Sequence, residues 1–322
     1  MYKTLASYSS SLENKELSLV TILMGTFNGE RFLKEQLNSI ENQTYKNWIL
    51  IVSDDGSNDA TLKILQEYQS NWPEGKLFIR KGPRKGFCQN FLSLVCDPKL
   101  AEGYYAFCDQ DDVWIANKLE NAINKIQEQN IQDAPVMYCG RTKYVDEDLK
   151  ECGISPLFRR PPSFKNALVQ SIAGGNTMLL NYSAKLLLER AGSLSVVSHD
   201  WWAYQLITGA GGLVIYDPIP YVLYRQHEEA LVGGNTTIFA KFKRIKMLFK
   251  GRFQSWNTIN INCLHSAMQI LIKENVELLK LFEVLRNSNI LGRISALNRC
   301  RLYRQTFAGS LSLYFAVLIN KV

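Results

Sequence analysis

Five carboxylates, spaced closely in two groups, are the residues of this chain best suited to chemistry. They are Asp54, Asp55, Asp109, Asp111 and Asp112. The first two follow the apolar run at 48–53, and the other three follow the apolar run at 104–108. If the carboxyl ends of both runs lie on one rim of a sheet, the five carboxylates converge there, where their repulsion would destabilise the fold. A divalent cation is the simplest partner that would relieve this repulsion.

The elements that must position these residues are predicted from hydrophobic periodicity. Apolar runs at 19–24 and 48–53 predict buried strands, and residues 29–42 between them place apolar side chains on one helical face. Such a strand–helix–strand unit implies parallel strands and a right-handed crossover. Later members of the alternation are predicted helices at 61–68, 89–96 and 118–129 and predicted strands at 77–80, 104–108 and 135–139. In open α/β sheets ligands bind beyond the carboxyl ends of the strands.

The second half of the chain is less regular. Residues 141–170 contain three prolines and are expected to be irregular. Beyond them we predict strands at 177–180, 213–216 and 221–224 and helices at 183–191 and 199–207. Strand signals almost vanish from residue 238 onward, which predicts a helical appendage. We therefore expect a tail at 1–17, an α/β domain at 18–235 and a helical region at 236–322.

The composition excludes several classes of protein. An apolar fraction of 46% is too high for a disordered chain. The seven cysteines include no CxxC pair and are expected to be reduced, and three histidines are too few for a His-rich metal site. No apolar stretch reaches the roughly 18–20 residues of a membrane span. The N-terminus lacks an apolar segment of signal-peptide type, so we expect a cytoplasmic or peripheral membrane protein.

Positive charge is concentrated at the C-terminal end. Residues 236–322 hold 14 Lys/Arg and 3 Asp/Glu, in a chain whose net charge is +7. Within them, residues 238–253 form an amphipathic basic pattern typical of a helix lying on an anionic membrane surface. The apolar run 307–319 is too short to span a bilayer. A packing arm or a contact between copies of the chain is the alternative; no motif indicates a nucleic-acid partner.

Six short motifs, in this order, resemble the family 2 glycosyltransferases of the GT-A fold over residues 18–235. They are TILMGTFNG at 21–29, DDGS at 54–57, FCDQDDVW at 107–114, GGN at 174–176, HDWW at 199–202 and YRQH at 224–227. The resemblance implies an α/β fold with a Rossmann-like mixed sheet, as in nucleotide-diphospho-sugar transferases, followed here by the C-terminal helical appendage. Three of the motifs are most similar to a rhamnosyltransferase-like branch of bacterial surface-polysaccharide synthesis.

The same resemblance implies a site for a divalent cation, Mn²⁺ or Mg²⁺. Asp109 and Asp111 match the Asp-x-Asp motif of the family, with Asp111 as the direct ligand and Asp109 between ribose and metal. His227 matches a late histidine that reaches the metal or the diphosphate. The alternative is an acidic turn that starts a helix, in which Asp112 or Asn117 would act as the cap.

Asp200 resembles the catalytic base of the family, which removes the proton of the acceptor hydroxyl and inverts the anomeric centre. Trp201 and Trp202 would exclude water or stack on a sugar. The alternative for Asp200 is a simple helix-start role. The acceptor-side loop implied by the resemblance is Gly174, Gly175 and Asn176. The implied nucleotide-sugar pocket comprises Thr26, Asn28, Asp54, Asp55, Lys85, Gly86 and Asn90, with Asp109 at its edge.

These expectations combine into one functional hypothesis. The resemblance implies an inverting, metal-dependent transferase that moves rhamnose from dTDP-rhamnose to a polyprenyl-diphosphate-linked saccharide on the inner face of the bacterial plasma membrane. A UDP-hexose or UDP-HexNAc donor is the near alternative. A non-catalytic module that binds nucleotide sugars or carbohydrate is the alternative from a different class.

Overall fold

The computed structural model describes residues 18–131, 133–226 and 251–322. The strands are β1 (Val20–Thr26), β2 (Trp48–Asp54), β3 (Leu77–Lys81), β4 (Tyr104–Cys108), β5 (Val113–Trp114), β6 (Val136–Gly140), β7 (Lys143–Val145), β8 (Glu151–Ile154), β9 (Leu179–Leu180), β10 (Leu213–Asp217) and β11 (Val222–Arg225). The helices are α1 (Leu33–Glu41), α2 (Thr61–Asn71), α3 (Phe87–Val95), α4 (Lys118–Gln127), α5 (Phe164–Ala167), α6 (Tyr182–Ala191), α7 (His199–Gly209), α8 (Arg252–Ser266), α9 (Lys273–Asn287), α10 (Ile290–Cys300) and α11 (Phe307–Leu318).

A seven-stranded sheet carries the first part of the chain, in the order β10-β6-β9-β4-β1-β2-β3. Strands β4, β1, β2 and β3 run parallel, whereas β9 is antiparallel to both of its neighbours, so the sheet is mixed. The central strand β1 is almost wholly buried because helices cover both faces of the sheet. This explains why its sequence, VTILMGT, is apolar without alternation.

A second, four-stranded sheet has the order β5-β11-β7-β8. It occupies much of the segment 141–170, which we expected to be irregular, so that expectation was wrong for β7, β8 and α5. Strands of three or four residues with little burial give no periodic signal in the sequence. Because β5 follows Asp112 directly and β11 ends at Arg225, this sheet fixes the position of the acidic segment that follows β4.

The C-terminal helices are packed on the sheet domain rather than held apart from it. Asn275 of α9 donates hydrogen bonds from Nδ2 to the carbonyls of Thr208 and Gly209 at the end of α7, each at 3.0 Å. Asn166 of α5 donates from Nδ2 to the carbonyl of Tyr303 at 3.0 Å. Apolar residues of both parts belong to one continuous core. The predicted boundary at 235 lies outside the described residues and stays a prediction.

None of the helices in the described ranges combines the length and the hydrophobicity that crossing a bilayer requires.

Candidate functional site

The carboxyl ends of three adjacent parallel strands lie at one edge of the large sheet. The register pairs Thr26 of β1 with Asp54 of β2, and Met24 of β1 with Cys108 of β4. The loops that follow these strands therefore start within two residues of the same level. Backbone contacts join the first two, since Asp55 N donates to Thr26 O at 2.8 Å. The sheet edge that the sequence predicted, at the carboxyl ends of these strands, therefore exists in the fold.

Asp54 is held by donors on every side. Its Oδ1 accepts hydrogen bonds from the backbone amides of Gly56 and Ser57, and its Oδ2 accepts from the hydroxyls of Ser57 and Thr26. The residue is only 7% exposed. Four donors satisfy a carboxylate without any metal, so Asp54 shapes the loop that follows β2 instead of contributing a free charge.

Asp55 organises the loop that leads into α3. Its Oδ1 accepts from the amide of Arg84 at 2.6 Å and its Oδ2 from the amide of Gly86 at 2.8 Å. Gly86 has φ +83°, a conformation that favours glycine. The loop passes so close to the strand edge that a side chain at Gly82 would meet Asp55 Oδ1 at 2.7 Å. A narrow cleft with backbone groups on its wall results.

The other members of the predicted nucleotide pocket have different surroundings. Asn90 is buried and donates from Nδ2 to the carbonyl of Ser53 at 2.7 Å, while its Oδ1 has no partner among the described residues. Asn28 has φ +48°, and its Oδ1 accepts from the amide of Asn58. Lys85 is exposed on the loop before α3. Asp55, Asn28 and Asn90 therefore border one region, at whose edge Lys85 stands.

Three carboxylates, Asp109, Asp111 and Asp200, lie within electrostatic range beyond β4, and we call the space between them the cavity. Burial, together with the negative charges of Asp111 and Asp200, raises the pKa of Asp109 to about 7. Asp109 and Asp111 are both partly exposed, unlike Asp54. Because two neighbouring carboxylates add to the effect of burial, this place has an excess of negative charge, as expected where a cation binds. The donor set, two carboxylates separated by one residue, fits the oxygen ligands that Mg²⁺ and Mn²⁺ take.

Asp112 does not cap a helix, so the alternative of a helix-start turn was wrong for this residue. It is fully buried, and helix α4 begins later, after Asn117. Its Oδ2 accepts from Asn176 Nδ2 at 2.5 Å and its Oδ1 accepts from the amide of Arg225 at 3.3 Å. Burial and the charges of Asp111 and Asp109 raise its pKa well above the usual range. The short strand β5 intervenes between Asp112 and α4, which the sequence pattern did not reveal.

Two buried cations stand behind the acidic segment, and the sequence analysis identified neither. The side chain of Arg225 is fully buried; its Nε donates to the carbonyl of Asp111 at 3.0 Å, and its terminal nitrogens bond to the carbonyl of Glu147 and to the carboxylate of Glu35. Lys118 lies with Nζ 3.6 Å from the ring centroid of Trp114, and burial lowers its pKa to about 8. The available signal for Arg225 was its place in the YRQH motif at 224–227.

The predicted acceptor-side loop lies next to the start of α7. Gly175 faces the ring of His199 so closely that any side chain at 175 would collide with Nε2. His199 is buried, stacked on Phe91 with ring centroids 4.1 Å apart and edge-on to Phe107 at 4.9 Å. Burial lowers the pKa of His199 to about 4. A neutral imidazole in an aromatic setting thus separates loop 174–176 from Asp200.

Asp200 occupies the first turn of α7. Its Oδ1 accepts from the hydroxyl of Ser198 at 2.5 Å and from the amide of Trp201 at 2.6 Å. Its Oδ2 has no hydrogen-bond partner among the described residues. Trp201 and Trp202 are buried, at 5% and 0% exposure, and belong to the apolar core. Both rings therefore have a packing role, and neither is exposed to contact a sugar.

His227, the third predicted metal ligand, lies outside the described residues. Within 18–131, 133–226 and 251–322 no group of three or more His, Cys, Asp or Glu side chains could hold a metal ion. Among the described residues, Asp109 and Asp111 therefore remain the candidates from the Asp-x-Asp motif.

Comparisons with known proteins agree with this geometry. The Glycosyl transferase family 2 model matches residues 21–185, slightly more than half of the chain. A dTDP-rhamnosyl transferase of Shigella flexneri, RfbG, is 29% identical over 233 residues, which cover 70% of this chain and 78% of that protein. A UDP-Glc:alpha-D-GlcNAc-diphosphoundecaprenol beta-1,3-glucosyltransferase of Escherichia coli, WfgD, is 37% identical over 115 residues, which cover 35% of this chain and 43% of that protein.

Solved structures share the fold. S. aureus TarS 1-349 in complex with UDP-GlcNAc has a TM-score of 0.52 at 17% identity, covering 88% of this chain and 92% of that one. The mannosyltransferase PcManGT from Pyrobaculum calidifontis, in complex with GDP-Man and Mn²⁺, has a TM-score of 0.52 at 16% identity, covering 95% and 86%. These likenesses confirm the predicted GT-A fold with its mixed sheet and C-terminal helices.

Proposed function

The chain belongs to glycosyl transferase family 2, and from that premise we propose that it moves a sugar from a nucleoside diphosphate to an acceptor hydroxyl with inversion. One observation carries this proposal. Asp109, Asp111 and Asp200 lie near one another beyond the carboxyl end of β4, where burial and the negative charges of Asp111 and Asp200 raise the pKa of Asp109 to about 7. An activated sugar diphosphate, held through a cation, is the ligand that suits this cavity.

Asp200 would act as the general base. Its Oδ1 is held by Ser198 and by the start of α7, which leaves Oδ2 to accept the proton of the acceptor hydroxyl. The acceptor oxygen then bonds to the anomeric carbon as the bond from that carbon to the diphosphate oxygen breaks, and the nucleoside diphosphate leaves with the electron pair. Attack from the face opposite the leaving group inverts the anomeric centre.

Asp109 and Asp111 would hold the divalent cation, Mn²⁺ or Mg²⁺, with His227 as a further ligand. When bound, the cation supplies positive charge that offsets the charge of the departing diphosphate. Asp55, Asn28 and Asn90 would receive the nucleoside, with Thr26, Asp54 and Gly86 shaping the wall and Lys85 at the rim. Gly174, Gly175 and Asn176 would border the acceptor.

For the donor we propose dTDP-rhamnose, because the relative that aligns with most of this chain is a dTDP-rhamnosyl transferase. UDP-hexose and UDP-HexNAc are the alternatives, since the second relative is named for a UDP-Glc donor. The name of that second relative includes a diphosphoundecaprenol acceptor, which supports a polyprenyl-diphosphate-linked saccharide as acceptor here. Such an acceptor would place the enzyme on the cytoplasmic face of the bacterial plasma membrane.

The exchange Asp200→Asn tests the proposal. We expect turnover to fall about 10³-fold or more, because an amide cannot take the proton, while thermal stabilisation by the nucleotide sugar with Mn²⁺ remains. Asp148→Asn, at an exposed carboxylate outside the cavity, is the matched control and should keep full activity. Undiminished turnover of Asp200→Asn would refute the assignment. A wild-type protein that binds donor but never transfers or hydrolyses it would support the non-catalytic binding module instead.

The donor is tested by a panel of nucleotide sugars in the presence of Mn²⁺. We expect dTDP-rhamnose to give the largest thermal shift, because ligand-specific stabilisation follows affinity. A larger shift with UDP-glucose or UDP-GlcNAc would identify that nucleotide sugar as the donor in place of dTDP-rhamnose. The assignment as a transferase would remain.

A further inference from the structure

Helix α11 presents a stripe of large apolar side chains to solvent. Phe307, Leu311, Phe315 and Leu318 are 86%, 60%, 48% and 41% exposed. Spacings of four, four and three residues place all four on one side of a helix. The opposite side, which includes Leu313 and Val317, is buried in the core. The helix contains no charged residue, so the contact between this apolar stripe and water is unfavourable.

Helix α10 extends this surface. Arg293 donates from a terminal nitrogen to the carbonyls of Val317 and Leu318, at 3.2 and 2.8 Å. The start of α10 therefore lies beside the end of α11, where Leu291 and Ile294 are 74% and 41% exposed. We call the exposed side chains of both helices the apolar face. It consists of Leu291, Ile294, Phe307, Leu311, Phe315 and Leu318.

The segment that carries the apolar face is basic. Residues 284–322 contain six basic residues and no acidic residue. The basic residues are Arg286, Arg293, Arg299, Arg301, Arg304 and Lys321. Arg299 and Arg301, in and directly after α10, are exposed. A partner that covers the apolar face must therefore bring an apolar layer together with negative charge.

We propose that the apolar face inserts into the interface of an anionic lipid bilayer, with the helices lying in the membrane plane. Phenylalanine and leucine would enter the headgroup–acyl boundary, while the arginines meet lipid phosphates. At 12 residues, α11 is about 18 Å long, too short for the roughly 30 Å of a bilayer core, so a planar orientation follows.

A second copy of the chain fits this surface less well. Symmetric pairing would bring two clusters of arginine together with no carboxylate from residues 284–322 to offset them. A bilayer that contains phosphatidylglycerol supplies the missing negative charge. The inference deepens the proposed function, because it names the surface through which an enzyme with a lipid-linked acceptor would reach its substrate. It stands on the exposure and charge of α10 and α11 even if that function is wrong.

Vesicle sedimentation of the full chain tests the inference without any enzymatic assay. We expect binding to vesicles made of equal parts phosphatidylglycerol and phosphatidylcholine, and about tenfold weaker binding of Phe307→Ser/Leu311→Ser, because two large apolar side chains no longer enter the interface. The matched control, Leu62→Ser/Phe78→Ser, replaces two exposed apolar residues of the sheet domain, at 38% and 46%, and should bind like the wild type.

A second pair of measurements separates the charge from the apolar contact. Arg299→Gln/Arg301→Gln should weaken binding to the mixed vesicles. Even the wild type should bind poorly to vesicles of pure phosphatidylcholine. Equal binding of all variants would overturn the inference. A second result would also overturn it: no binding to vesicles, together with a wild-type dimer in light scattering that Phe307→Ser/Leu311→Ser dissociates. In that case a second copy of the chain would cover the apolar face. Turnover on a water-soluble acceptor stays unchanged in these variants, which keeps this test independent of the catalytic assignment.

Discussion

Asn176 donates a hydrogen bond from Nδ2 to Oδ2 of Asp112 at 2.5 Å, and both residues are buried. This bond joins the segment that follows β4 to loop 174–176. Asp112 is the immediate neighbour of the candidate metal ligand Asp111. Gly175, which precedes Asn176 in the chain, lies against the ring of His199. His199 directly precedes Asp200, the candidate base. A continuous set of contacts therefore links the two halves of the proposed chemistry.

Removal of that bond should damage both stability and turnover. Asn176→Ala leaves Oδ2 of a buried carboxyl without its donor, so we expect a loss of about 1–3 kcal/mol in the free energy of unfolding. We also expect a fall in kcat, because the metal loop loses its anchor. Asn121→Ala is the control, since Asn121 donates to Asp217 at 2.9 Å in a comparable pair remote from the cavity. Urea unfolding and donor turnover distinguish the two: equal kcat losses in both variants would contradict a positioning role.

Arg225 should be among the most sensitive positions in the chain. Arg225→Met removes its bonds to Asp111, Glu147 and Glu35 and leaves their acceptors buried or unpaired. We expect destabilisation of about 1–3 kcal/mol, because the carbonyls of Asp111 and Glu147 lose their buried donor, whereas Glu35 is half exposed and regains water.

Arg31→Met is the control for Arg225, because Arg31 pairs with Glu147 while both side chains remain largely in solvent, at 63% and 39% exposure. An exposed pair of this kind contributes less than about 1 kcal/mol. Denaturant unfolding of both variants would test the contrast, and similar losses would show that Arg225 is not an anchor.

His199 should make stability depend on pH in the acidic range. Burial lowers the pKa of His199 from 6.5 to about 4, so between these values the unfolded chain binds a proton that the folded protein excludes. Stability is therefore complete above pH 6.5 and falls as the pH drops towards 4, by up to about 3 kcal/mol.

His199→Phe removes this titration and keeps an aromatic ring between Phe91 and Phe107. The measurement is the free energy of unfolding of wild type and variant across that pH range. The difference between the two curves should change with pH. A constant difference would mean that His199 titrates normally in the folded state.

Stabilisation by a divalent cation should depend on Asp111. Wild-type protein with Mn²⁺ and a nucleoside diphosphate should unfold at a higher temperature than with the nucleotide alone, because the cation stabilises the ionised form of Asp109, whose pKa is raised by burial and by the charges of Asp111 and Asp200. Asp111→Asn should lose most of this additional shift, whereas Asp148→Asn should keep it. An undiminished shift in Asp111→Asn would exclude this residue as a ligand.

Much of the fold was predictable because long buried elements carry strong periodic signals. The predicted strands at 19–24, 48–53 and 104–108 correspond to β1, β2 and β4, whose carboxyl ends lie at one edge of the sheet as expected. The second sheet escaped prediction because its strands are short, and its pairing depends on contacts distant in sequence, such as Leu223 with Lys143.

The site was only partly predictable for a related reason. A motif identifies residue types at the ends of strands, but it does not reveal which carboxylate is already satisfied. Asp54 and Asp111 look equivalent in the sequence, yet the first accepts four hydrogen bonds and the second borders the cavity. Arg225 escaped notice because its role depends on burial among three segments that are distant in sequence, which contain Glu35, Asp111–Asp112 and Glu147.

The saturation of Asp54 has a consequence for the order in which ligands arrive. With that carboxylate occupied, two acidic side chains remain to coordinate a metal in the described part of the chain, and two ligands hold a hard ion only weakly. Phosphate oxygens, with the proposed ligand His227, would then complete the coordination sphere. The ion and the nucleotide should therefore reinforce each other's affinity, so that a calorimetric titration of either one alone would show little heat.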